Sequence, residues 1–74
     1  MSKYLLVRTL PTGQTATTTC KSKRQAASAA CYVLTDNLNL RRRDAETIGL
    51  QLEHSPLGTG VPAYGYMFRI ELAS

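Results

Sequence analysis

RRRDAETIGLQLEH, residues 41–54, is the stretch on which the architecture turns. Read with a helical period, it places Ala45, Ile48, Gly49 and Leu52 at i, i+3, i+4 and i+7, behind Asp44 as N-cap and with Glu46 in the first turn. Read with a period of two, Ile48, Leu50 and Leu52 alternate with polar Gln51 and Glu53 between and beyond them, which is a strand pattern. The formed cap and the presence of only two β-branched residues, Thr47 and Ile48, favour a short helix over 44–54, with a strand as the alternative.

On the N-terminal side, CKSKRQAASAACYVLTDN (20–37) is helical by period. Ser22 and Gln25 have capping-box spacing, and Asn37 suits a left-handed stop, so the helix is expected from about Ser22 to Asp36. Its stripe of Ala27, Ala30, Cys31 and Leu34, widened by Ala26 and Val33, is built from small side chains. Such a face allows close backbone approach, either flat on a sheet or against a second copy. Before it, KYLLVRTL (3–10) and TATTTC (15–20) flank the turn PTGQ, which makes a hairpin. The first strand is apolar on both faces, Leu5 and Val7 on one and Tyr4, Leu6 and Leu10 on the other, so something must cover the second face. After residue 54, HSPLGTGVPAYG is a Gly- and Pro-rich loop. YGYMFRIEL then alternates, with Tyr64, Tyr66, Phe68, Ile70 and Leu72 sharing a face. The expected fold is one α+β domain over 1–74 in the order ββααβ. Its three-stranded sheet is covered by the Ala-rich helix, with the short helix at an end or edge.

A 74-residue chain has room for one small core, which is marginal without a disulfide, a metal or a partner. Cys20 and Cys31 stand eleven apart in no recurring ligand spacing and read as reduced, structural thiols. The N-terminus lacks a signal peptide's apolar run of about 7 to 15 residues. No segment approaches the ~18 apolar residues of a membrane helix. A cytoplasmic location follows, and with it self-association as the source of extra stability, the dimer face being Tyr4, Leu6 and Leu10.

Net charge is +4, unevenly divided. Residues 1–43 carry eight Lys and Arg against Asp36, and residues 44–74 carry Arg69 against Asp44, Glu46, Glu53 and Glu71. Two basic clusters stand at helix starts: Lys21, Lys23 and Arg24, then Arg41, Arg42 and Arg43. Cations are disfavoured there by a few tenths to ~1 kcal/mol each, so local stability does not account for them. They suit an acidic protein surface or nucleic-acid phosphates. The opposing reading is that the arginines lie back over the preceding helix end or are simply solvated. No helix-turn-helix spacing, C2H2 pattern, RNP-like aromatic motif or GXXG loop accompanies them. The single His54 has no motif linking it to a nucleophile, and it forms no common zinc spacing with Cys20 and Cys31. GTG at 58–60 is too short for a phosphate loop. No catalytic residue, metal ligand or cofactor is assigned.

The opening LLVRTLPTGQTATTTC, the alanine-rich helix, RRRDAETIGL and the closing GYMFRIE together resemble small proteins encoded by bacteriophages of actinobacteria, most of them without assigned function. The resemblance implies an accessory protein acting inside a bacterial host cell, on a host protein or on DNA. The expected function is a non-enzymatic, homodimeric regulatory protein engaging an acidic surface of a host protein. A DNA-binding regulator gripping phosphates through both basic clusters is the competing reading, and a thiol- or metal-dependent enzyme is the third.

Overall fold

A computed structural model describes residues 3–73. β1 (Tyr4–Thr9) and β2 (Thr15–Cys20) form the expected hairpin. Leu10 N–H donates to the Gln14 carbonyl at 2.8 Å, and Gly13 N–H donates to the Leu10 carbonyl at 2.9 Å. Pro11 therefore opens a tight turn, and Gly13, at φ 93°, supplies the left-handed residue that a three-residue loop requires. α1 (Lys23–Leu38) starts at Ser22, whose Oγ accepts from Gln25 N–H at 3.0 Å. The Gln25 side chain reaches back to Lys21 N–H, one residue further than a reciprocal box. The left-handed stop falls on Asn39 at φ 52°, so the helix runs two residues past Asp36.

Residues 42–54 are helical. α2 (Arg42–His54) begins two residues before the expected cap, and Arg41 occupies the N-cap with no side-chain bond. Asp44 lies inside the first turn, where its charge still favours the helix N-terminus. The segment that reads as loop contains a further strand. β3 (Val61–Ala63) pairs with β4 (Tyr66–Leu72) through a two-residue turn at Tyr64 and Gly65, both with positive φ. Tyr64 is thus an exposed turn residue and does not share the β4 face. Pro62 sits in an edge strand, where a missing N–H is tolerated.

The fold is α+β: a four-stranded antiparallel sheet in the order β2-β1-β4-β3, with both helices contributing to one core. The ladder puts Leu6 opposite Thr18 and Ile70, and Arg8 opposite Phe68, which in turn faces Val61. Leu6, Phe68 and Ile70 meet Ala26, Ala30, Leu34, Ala45 and Leu52 from the helices, and Tyr66 stacks on Phe68 at 5.7 Å between ring centroids. This overturns the expected dimer face. Leu6 is 1% exposed and Tyr4 packs against the core, because the chain's own helices cover that side of β1. Leu10, the third residue of that face, stands half-buried at the hairpin turn. The opposite face carries Leu5 and Val7 among Thr17, Thr19, Arg69 and Glu71. Val7 is only 4% exposed there, and Arg69 and Glu71 form an ion pair on the same face.

Candidate functional site

The two helices run antiparallel, with three residues, Asn39, Leu40 and Arg41, between them. Gly49 of α2 faces Ala27 and Cys31 of α1 so closely that a Cβ at 49 would lie 2.6 Å from Cys31 Sγ. The Cys31 thiol donates to the Ala45 carbonyl at 3.1 Å. Small residues at 27, 30, 45 and 49 therefore do what the alanine-rich stripe implies, but toward α2 as well as the sheet.

On the solvent side of this contact lies an open groove of about 500 Å³, floored by Cys31 and Ala45 and walled by Tyr32, Thr35, Arg42 and Glu46. It is followed by a shallower hollow of about 260 Å³ with Arg24, Gly49, Leu50 and Glu53. Ser28, Cys31 and Glu46 belong to both, so the two form one trough along the helix pair. Tyr32 is 68% exposed and Leu50 56% exposed at its rims. Both lie off their helices' buried faces. A large apolar residue outside the stripe is the signal that marks them, although Leu50 also fits the alternating pattern of 48–52.

The antiparallel pairing separates the two basic clusters. One stands at the start of α1 and the other at the start of α2, at opposite ends of a helix about 24 Å long for its 16 residues. Each helix start also lies beside the other helix's C-terminal end. Lys23 shows the consequence: its Nζ donates to the Ser55 carbonyl at 2.7 Å, capping the negative end of α2. Local stability therefore does account for Lys23. Arg42 pairs with Glu46 one turn on at 3.0 Å, an exposed i, i+4 contact worth ~0.3–0.5 kcal/mol. Lys21, Arg24, Arg41 and Arg43 are exposed, and no ion pair holds them among the described residues. The trough has Arg42 in one hollow and Arg24 in the other, one from each cluster, at its two ends. The charge halves also interleave, since β1 pairs with β4 and Arg24 shares its hollow with Glu53.

Neither thiol is poised for attack. Burial pushes Cys20 above the usual thiol range, partly offset by the Leu6 backbone. Cys31 is raised by burial, which the Gly49 backbone partly offsets and the Glu46 charge reinforces. His54 is exposed in the last turn of α2. Among the described residues no three of His, Cys, Asp and Glu come together as a metal site, and no helix is long and apolar enough to cross a membrane. No family model, curated protein or solved structure matches the chain. The functional reading therefore rests on the geometry of this trough.

Proposed function

We propose that the chain is a non-enzymatic binding protein that acts as a homodimer in the bacterial cytoplasm and regulates a host protein by seating an acidic surface in the α1–α2 trough. The observation that carries this reading is a depression along the helix pair with exposed Tyr32 and Arg42 toward one end and exposed Leu50 and Arg24 toward the other. Aromatic and arginine side chains are the types that most often dominate binding energy, and a partner seated in the trough would cover Tyr32 at its rim. The exposed Arg41 and Arg43 beyond one end, and Lys21 beyond the other, favour a negatively charged rim and speed its approach. Two free thiols are compatible with a reducing compartment.

The test is affinity capture from a bacterial lysate with and without nuclease treatment, comparing the wild-type chain with Tyr32→Ala/Leu50→Ala and Arg24→Ala/Arg42→Ala. The expected result is a captured protein lost from the first variant and weakened by salt and by the second. Equal capture by all three chains refutes the trough. Retention only of nuclease-sensitive material would favour the competing DNA reading. That reading further requires random duplex DNA to bind with a log–log salt slope of about −0.9 per phosphate contacted.

A further inference from the structure

The two edges of the sheet are treated differently. β3 is three residues long with Pro62 at its centre, and Gly58 N–H closes part of the remaining β4 edge by donating to the Ile70 carbonyl at 2.8 Å. Short strands and proline are the usual protections of an edge. β2 has neither: its six residues, TATTTC, carry no charge and no proline, and Thr15, Thr17, Thr18 and Thr19 are exposed.

The phase of the ladder says which groups are free. The Leu10–Gln14 bond makes 10 and 14 a hydrogen-bonded pair, so 8 with 16, 6 with 18 and 4 with 20 follow. Lys3 and Ala73, bonded at 2.8 Å, agree, because they assign the odd residues of β1 to β4. Thr15, Thr17 and Thr19 consequently turn their N–H and carbonyl groups outward from the edge.

We propose that this edge pairs with the same edge of a second copy, antiparallel about a twofold axis through Thr17, to give a continuous eight-stranded sheet. The inference rests on the homodimer part of the reading above and supplies the interface that Tyr4, Leu6 and Leu10 do not. In this register Thr15 faces the partner's Thr19, Thr17 faces Thr17, and every outward N–H meets an outward carbonyl. The occupant is a second copy because the edge is its own complement. Charge agrees: Lys21 falls opposite a partner glycine at 13, and the two Lys21 side chains stand about 27 Å apart at 3.4 Å per residue. A parallel arrangement would bring both sets of Lys21, Lys23 and Arg24 together. The threonines also form a cross-strand ladder on the open face, a pairing that stabilises sheets.

The experiment is sedimentation of the full chain from micromolar to millimolar concentration, with amide exchange read by NMR at both extremes. A concentration-dependent dimer is expected, in which Thr15, Thr17 and Thr19 amides slow on association while Ala16 and Thr18 are slow throughout. Thr17→Pro removes an outward N–H that the monomer does not use, and it weakens association about tenfold or more. Thr17→Lys, which sets like charges face to face at the axis, weakens it with the monomer's melting unchanged. A monomer at all concentrations overturns the proposal. So does a dimer with fast Thr15, Thr17 and Thr19 amides, or one indifferent to both variants. Pairing of the edge only with an added threonine-rich extended peptide also overturns it. Thr17→Lys retains Tyr32 and Leu50, so capture by this variant separates failure of the dimer edge from failure of the trough.

Discussion

Replacing Gly49 with alanine measures how tightly the helix pair that shapes the trough is seated. Two effects oppose. Alanine is favoured over glycine inside a helix by about 0.8–1.0 kcal/mol. The new Cβ would stand 2.6 Å from Cys31 Sγ and 3.3 Å from the Ala27 carbonyl oxygen. Cys31 can rotate away only by giving up its bond to the Ala45 carbonyl, and Ala27 is backbone that yields only if α1 shifts. Overpacking of this kind costs about 1–3 kcal/mol, so a net loss of about 0–2 kcal/mol is expected. In a domain of this size each kcal/mol moves Tm by about 4–8 °C. The discriminating comparison is the same substitution in a Cys31→Ala background. There the nearest clash is gone, the Ala27 contact needs only a few tenths of an ångström, and helix propensity should leave Gly49→Ala neutral or stabilising by about 0.5 kcal/mol. Urea unfolding of the four proteins by far-ultraviolet circular dichroism gives the coupling, expected at about 1–2 kcal/mol. A Gly49→Ala chain with a higher midpoint than wild type, or an equal loss in both backgrounds, refutes the close approach.

Three further substitutions follow from local geometry. Ser22→Ala removes the acceptor for Gln25 N–H and should cost about 1 kcal/mol in urea unfolding; an unchanged midpoint would mean the cap is not formed in solution. Tyr64→Asn replaces an exposed tyrosine at φ 55°, ahead of Gly65 at φ 89°, with the residue such turns prefer, and should raise stability by about 0.5–1 kcal/mol. A fall in Tm would show that Tyr64 contributes contacts that outweigh its backbone cost. For pH, both thiols are raised above the ordinary 9.0 in the folded chain, so the folded state keeps protons that the unfolded state releases. Their contribution is full below pH 9 and is lost as pH rises through the folded values. The Cys20→Ala/Cys31→Ala chain should therefore show a flatter alkaline decline in stability, and a parallel decline would contradict the shifts.

What the sequence makes legible is what depends on local chemistry. The hairpin follows from Pro11 and Gly13, the first helix from Ser22, Gln25 and a small-residue stripe, and the last strand from the alternation of Phe68 and Ile70. β3 was hidden because three residues with a central proline, VPA, carry no period, and because its turn is Tyr-Gly where Asn-Gly would have announced it. The partition of β1 was hidden for a different reason. Apolar residues lie on both faces, so period alone does not say which face the helices take; the register that sets Leu6 beside Ile70 and Leu5 beside Glu71 decides it. The cations needed tertiary structure as well. A single helix makes Lys23 unfavourable at its own N-terminus, and only the antiparallel neighbour converts it into a cap on Ser55. Tyr32 and Leu50 fall outside their helices' apolar faces, but that both border one trough depends on how the helices pair.

The dimer edge and the trough stand on different parts of the fold, and that separation has a consequence for binding. A twofold axis through Thr17 in an antiparallel pair lies normal to the sheet, so residues facing the helices in one copy face the same side in the other. Both helix pairs then cover one face of the joined sheet, and both troughs open on that side. Two sites presented together bind a clustered acidic partner with an apparent affinity above that of either site, without any new contact, provided the partner's spacing matches. Separating the copies with Thr17→Lys should thus leave the affinity for a single acidic partner in solution unchanged. It should shorten the residence of the chain on a surface densely coated with that partner. Equal residence of the two chains on the dense surface would mean that the troughs do not face a common side, and the twofold axis would have to be placed elsewhere.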